Sequence, residues 1–229
     1  MKRILAVLAI AGLWAGAALA QAPNTLSPQE AKEGWKLLFN GKNLDGWAFQ
    51  PGSSEWKVQE GVIFPESDKN GNLFTTEHYD NFVLRVEYRT TPDVNSGVYV
   101  RYTVRAPGEA PPPPKDQPKA KGKKGPGAPG YEINIRDSAA RPLNDSPAGF
   151  DTGSLMGAQK ADKTEILSGQ WNRFEITVQG DHFIVVHNGK QILDAHDSKF
   201  ATGSVGFQWA PHALGGKNIQ FRNIKLRRL

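Results

Sequence analysis

The sequence predicts an all-β protein, a two-sheet antiparallel β-sandwich of the jelly-roll kind. Three observations carry this expectation. Apolar and polar residues alternate with period two along most of the chain. Turn dipeptides punctuate the alternating runs. No stretch carries the periodicity of an amphipathic helix.

The elements follow in order. Runs at 35–39, 55–58, 61–64 and 72–76 are short and separated by Asn40-Gly41, Asp45-Gly46, Glu60-Gly61 and Asn70-Gly71. Phe82, Leu84, Val86 and Tyr88 then alternate with Val83, Arg85, Glu87 and Arg89. Val98, Val100 and Tyr102 alternate with Tyr99, Arg101 and Thr103, and Ile133 and Ile135 with Glu132, Asn134 and Arg136. Phe174, Ile176 and Val178 repeat the pattern before runs at 182–187 and 190–194. Asn188-Gly189 between those two runs is a two-residue hairpin signal. Runs at 203–209 and 218–227 complete about a dozen strands.

The N-terminus reads differently. Lys2 and Arg3 precede an apolar run from Ile4 to Ala17, and Ala18-Leu19-Ala20 forms a small-residue cleavage site. This is the pattern of an export signal over 1–20, too short to span a bilayer. A periplasmic or secreted protein beginning near Gln21 is expected, with 21–33 as a polar leader and 34–229 as one domain. The absence of cysteine excludes disulfides and thiolate metal sites.

The formal charge of +5 gives no case for nucleic acid. Lys2 and Arg3 supply +2, and five lysines against Glu109 and Asp116 supply +3 within the excursion 106–130. The remainder is neutral, whereas a nucleic-acid protein concentrates charge on its folded face. Residues 106–130, rich in Pro, Gly and Lys, cannot bury enough apolar surface to offset their ordering entropy. They are expected to be a long excursion between two strands.

Gly34-Trp35-Lys36-Leu37-Leu38-Phe39-Asn40-Gly41-Lys42-Asn43-Leu44-Asp45-Gly46-Trp47 resembles the opening of the 3-keto-disaccharide hydrolase family. Further motifs follow in family order: Asn95-Ser96-Gly97-Val98-Tyr99-Val100-Arg101, Gly130-Tyr131-Glu132-Ile133-Asn134-Ile135-Arg136-Asp137, Thr152-Gly153-Ser154-Leu155 and Phe221-Arg222-Asn223-Ile224-Lys225-Leu226. The resemblance implies a concanavalin/laminin-G-like jelly roll and cleavage of glycosides whose sugar carries a ketone at C3. Met156 stands where the family often has Tyr, and its closing Leu-Gln-x-His is stretched here to Phe207-Gln208-Trp209-Ala210-Pro211-His212.

Such chemistry needs a base for the C2 proton, a stabiliser for the enolate and an acid for the leaving oxygen. The polar faces of three strands supply Glu87, Arg101 and Glu132, expected to converge on one concave face if those strands are neighbours. His212, in the loop after Gln208, is the candidate acid. Asn95, Ser96, Tyr99, Asn134, Gln208 and Trp209 are candidate sugar contacts, with Trp209 at the rim. Asp137, at a strand end, is a candidate metal ligand. None of the five histidines (78, 182, 187, 196 and 212) pairs at metal-ligand spacing. A hard divalent cation on carboxylates is compatible with the sequence but not demanded by it.

The expected partner is an oligosaccharide or glycoside, and no membrane-spanning segment is expected. A conventional glycosidase needs paired carboxylates, and Glu132 is followed in phase by Asn134. A non-catalytic carbohydrate-binding or wall-associated module is the other reading.

Overall fold

The computed structural model describes residues 21–50, 53–104, 129–137, 151–211 and 218–229. Residues 1–20, where an export signal is expected, His212 and most of the 106–130 excursion lie outside the described residues. Among the described residues the elements are a short helix α1 (Pro28–Lys32) and thirteen strands: β1 (Lys36–Leu37), β2 (Trp47–Phe49), β3 (Trp56–Gln59), β4 (Val62–Pro65), β5 (Gly71–Thr75), β6 (Phe82–Thr90), β7 (Asn95–Tyr102), β8 (Tyr131–Arg136), β9 (Asn172–Gln179), β10 (His182–His187), β11 (Lys190–His196), β12 (Ser204–Trp209) and β13 (Ile219–Arg228).

The strands form two antiparallel sheets, as the alternation requires. One has the order β11-β10-β9-β6-β13-β4-β3, with β1 on β13, and the other β2-β5-β12-β7-β8. The inward residues of β6 and β9 face those of β7, β8 and β12, so Leu84, Val86, Phe174 and Ile176 share one core with Val98, Val100, Ile133 and Phe207. Phe207 and Phe221 stack at 4.0 Å between ring centroids. Asn188 and Gly189 both adopt positive φ, which the predicted tight hairpin turn between β10 and β11 demands.

Residues 21–33 are not a passive leader. Ser27 caps α1 and Glu30 returns a bond to the Ser27 amide, a reciprocal box with Pro28 in the first turn. Asn24 and Asn223 exchange backbone and side-chain bonds, and Lys225 Nζ lies 2.9 Å from Glu30 Oε1. The segment is docked on β13. The Ser-x-x-Glu signal was in the sequence, but one turn is too short to register as a periodicity. Among the described residues no helix is long and apolar enough to cross a membrane.

Candidate active site

The outer face of the five-stranded sheet gathers most of the polar candidates. Register places Asn72, Gln208, Gly97 and Asn134 in one line across β5, β12, β7 and β8. The next line is Phe74, Gly206, Tyr99 and Glu132. Side chains in such lines are near neighbours. Two glycines make room between them. A Cβ on Gly97 would lie 2.5 Å from Glu132 Oε1, and one on Gly206 would strike the Phe74 ring. The Glu132 side chain therefore lies down across β7, over the space left by Gly97.

A hydrogen-bond chain organises the amides. Asn95 Nδ2 donates to Gln208 Oε1 at 3.3 Å, and Gln208 Nε2 donates to the Tyr99 hydroxyl at 2.8 Å. Beside them, Asn72 Nδ2 donates to Gln50 Oε1 at 2.8 Å. Phe74, Tyr99 and Tyr102 pack together, with Tyr102 4.6 Å from each of the other two rings. Gln50, Ser53, Asn70, Asn72, Tyr99 and Gln208 line a groove of about 300 Å³. Gln50, Asn72, Phe74 and Tyr102 were not selected from the sequence. Their runs read as turn flanks or core; the pairing of β5 with β12 brings Asn72 and Phe74 here, Gln50 joins them through Asn72, and a register shift in β7 turns Tyr102 to this face.

The electrostatics follow from burial. Desolvation lifts the Glu132 carboxyl to about 7, with no basic group to offset it among the described residues. Desolvation, then the nearby Glu132 charge, pushes the Tyr99 phenol well above its usual range. Tyr99 therefore stays protonated, and since its oxygen accepts from Gln208 its own proton is available to a ligand.

Beyond β8 the chain adds a partial edge. Asn134 N donates to Ser154 O at 3.0 Å, and Met156 N donates to Glu132 O at 2.9 Å. The Thr152-Gly153-Ser154-Leu155 segment thus fixes the backbone on which Glu132 and Asn134 stand.

Four expected site residues lie elsewhere, and a fifth, Trp209, meets the groove only as a buried residue of β12. Glu87 is on β6, in the opposite sheet, and is paired with Arg222 at 2.8 Å. Residues 91–94 carry the chain from one sheet to the other, so β6 and β7 are consecutive without being neighbours. Arg101 does not share the Tyr99 face. The register of β7 against β12 slips by one residue between Tyr99 and Tyr102, and Arg101 takes up the bulge with φ of 51°. Its buried guanidinium turns away to donate to the carbonyls of Asp80, Gly180 and Phe200 and to Asn81 Oδ1. Tyr102, not Arg101, joins Tyr99 on the outer face. Ser96 is fully buried and donates to Gln208 O at 2.5 Å. Trp209 is a core residue whose Nε1 donates to Ser67 O at 2.8 Å, so its ring is no rim platform. Asp137 is buried and accepts from Thr90 Oγ1 at 2.8 Å, and among the described residues it belongs to no group of three potential ligands.

Comparison with known proteins places this geometry. Two solved structures from Parabacteroides distasonis, provisionally named glycosyl hydrolases, superpose over most of the chain. One is 21% identical with a TM-score of 0.68, covering 91% of this chain and 100% of the other. The second is 24% identical with a TM-score of 0.65, covering 85% and 99%. A carbohydrate-binding module from Bacillus subtilis is 16% identical with a TM-score of 0.52, covering 80% and 95%. At such identities these likenesses establish the jelly-roll fold. No curated protein matches the chain. Residues 34–227 match the model of the 3-keto-alpha-glucoside-1,2-lyase-like domain, and the chain belongs to that family.

Proposed function

We propose that the protein is an exported carbohydrate-active enzyme that cleaves 3-keto glycosides by elimination and hydration. Glu132 is the base. The C3 ketone acidifies the C2 proton, which Glu132 removes, and the electron pair passes to the C3 oxygen as an enolate. Collapse of the enolate breaks the bond from C1 to the glycosidic oxygen, which leaves with the proton that Glu132 took from C2. Addition of water across C1 and C2 completes net hydrolysis.

The observation that carries the reading is Glu132 itself. It is a carboxyl held at about 7 by desolvation, lying over a glycine on a face lined with amides and tyrosines. A base poised near neutrality suits abstraction of a proton beside a carbonyl. The Tyr99 hydroxyl, held by Gln208, is the donor for the enolate oxygen, a role the buried Arg101 cannot fill. The groove beside Gln50, Asn72 and Gln208 supplies hydroxyl partners for the sugar.

The test is product formation from 3-keto-lactose or a 3-keto-glucoside by the purified chain, beside Glu132→Gln. We expect wild-type turnover whose kcat/KM rises with pH through about 7, as Glu132 ionises. Glu132→Gln should lose roughly 10²–10⁴-fold. An EDTA arm reports any cation requirement. Wild-type inactivity with retained glycan binding would move the protein to the binding-module reading.

A further inference from the structure

On the outer face of the eight-stranded sheet, far in topology from Glu132, the β10–β11 hairpin carries a second cluster. His182 and His196 are direct cross-strand partners, and Asp194 pairs with the adjacent Ile184. Period-two alternation points His182, Asp194 and His196 to the same side, while Phe183, Leu193 and Ala195 face the core. The two imidazoles stack with centroids 4.5 Å apart and planes 3° from parallel. His182 Nε2 lies 2.7 Å from Asp194 Oδ1. One ligating atom from each of the three residues falls within 4.8 Å of the others.

We propose that His182, Asp194 and His196 form a binding site for a divalent transition metal of the Zn²⁺ class, which clasps the edge hairpin of the larger sheet. Two imidazoles and one carboxylate suit Zn²⁺, Ni²⁺ or Cu²⁺, whereas Mg²⁺ and Ca²⁺ take oxygen ligands. With Zn–N and Zn–O bonds of about 2 Å, atoms sharing one ion stand roughly 3–4 Å apart. The cluster thus needs to close by about an ångström, with the rings tilting from their parallel stack. The side chains are 36%, 55% and 62% exposed for His182, Asp194 and His196, which leaves that rotation free of the core.

A fourth group completes the arrangement. His196 Nδ1 lies 3.2 Å from Asp181 Oδ1, which orients the ring and leaves Nε2 for the metal. The hairpin itself is pre-formed, since Asp197 N donates to Asp181 O at 2.8 Å below the histidine pair. The histidines are far apart in sequence, so no linear metal motif announces them.

The experiment is calorimetric titration of the full chain with ZnCl₂, after treatment with EDTA and its removal, with MgCl₂ in parallel. His182→Ala and His196→Ala should each weaken Zn²⁺ binding at least about tenfold, Asp194→Asn should weaken it less, and Mg²⁺ should give no heat at this site. In ¹⁵N spectra the imidazole signals of His182 and His196 should move on Zn²⁺ addition while that of His187 stays. Wild-type Tm should rise with Zn²⁺ and the double variant's should not. Zn²⁺ affinity within twofold of wild type in the folded double variant, or shifts confined to other histidines, would overturn the proposal.

Discussion

Gly97 and Glu132 show how closely one residue's chemistry depends on another's absence of side chain. The carboxyl occupies the space a Cβ would take, 2.5 Å from Oε1. Gly97→Ala must displace Glu132 while leaving the core beneath untouched. We expect kcat/KM for a 3-keto glycoside to fall at least about tenfold, with Tm changing far less, since the affected atoms are at the end of a side chain. Parallel kinetics and thermal melts check this. Arg101 teaches the reverse lesson. Its residue type and its place in a family motif suggested chemistry, yet four bonds to loop backbone and Asn81 make it a strut between the sheets. A sequence reports that an arginine is present, but not which way a bulged strand turns it.

At the scale of elements, α1 is a clasp rather than a leader. Burial raises the Glu30 carboxyl's affinity for its proton, but the Ser27 amide, Lys225 and Gln21 together outweigh this and hold it at about 2. The Glu30 and Lys225 side chains are only 14% and 9% exposed, so solvent screens the pair little. Glu30→Gln should lower stability by about 2 kcal/mol at pH 7, measured by urea unfolding. A depressed carboxyl stabilises above its unfolded value of 4.5 and loses that contribution as pH falls toward 2. The difference between wild type and variant should therefore vanish in strong acid. The same element was legible in Ser27-Pro28-Gln29-Glu30, a capping signal without the length to betray a helix.

For the whole molecule, two buried groups act on stability in opposite directions. His187, held between Tyr88 and Thr164 at 2.8 and 2.7 Å, is kept neutral by burial, with its ionisation lowered to about 4. Its unfolded value is 6.5, so it destabilises the fold as pH drops from 6.5 toward 4. Glu132 does the contrary. Its raised value favours the folded state below 4.5, and that advantage is lost as pH rises through about 7. Each effect is at most about 3 kcal/mol. Guanidinium unfolding across pH should find Glu132→Gln more stable than wild type at pH 8. In the variant, stability should fall between pH 6.5 and 4, a slope that Glu132 offsets in wild type.

The sequence by itself determined the strands, the sandwich class and the family, and it singled out Glu132, Tyr99, Asn95, Asn134 and Gln208, which the structure gathers on one outer face. Period-two alternation and turn chemistry are local properties, readable without knowing what lies opposite. Only the tertiary structure decided which strands are neighbours. It separated Glu87 from Glu132 by sending β6 and β7 to different sheets, turned Arg101 inward at a bulge, and buried Ser96 and Trp209. It also brought Asn72 and Phe74 to the site and set His182 beside His196. Sheet membership and register arise from long-range pairing and core packing, which alternation along one strand does not encode.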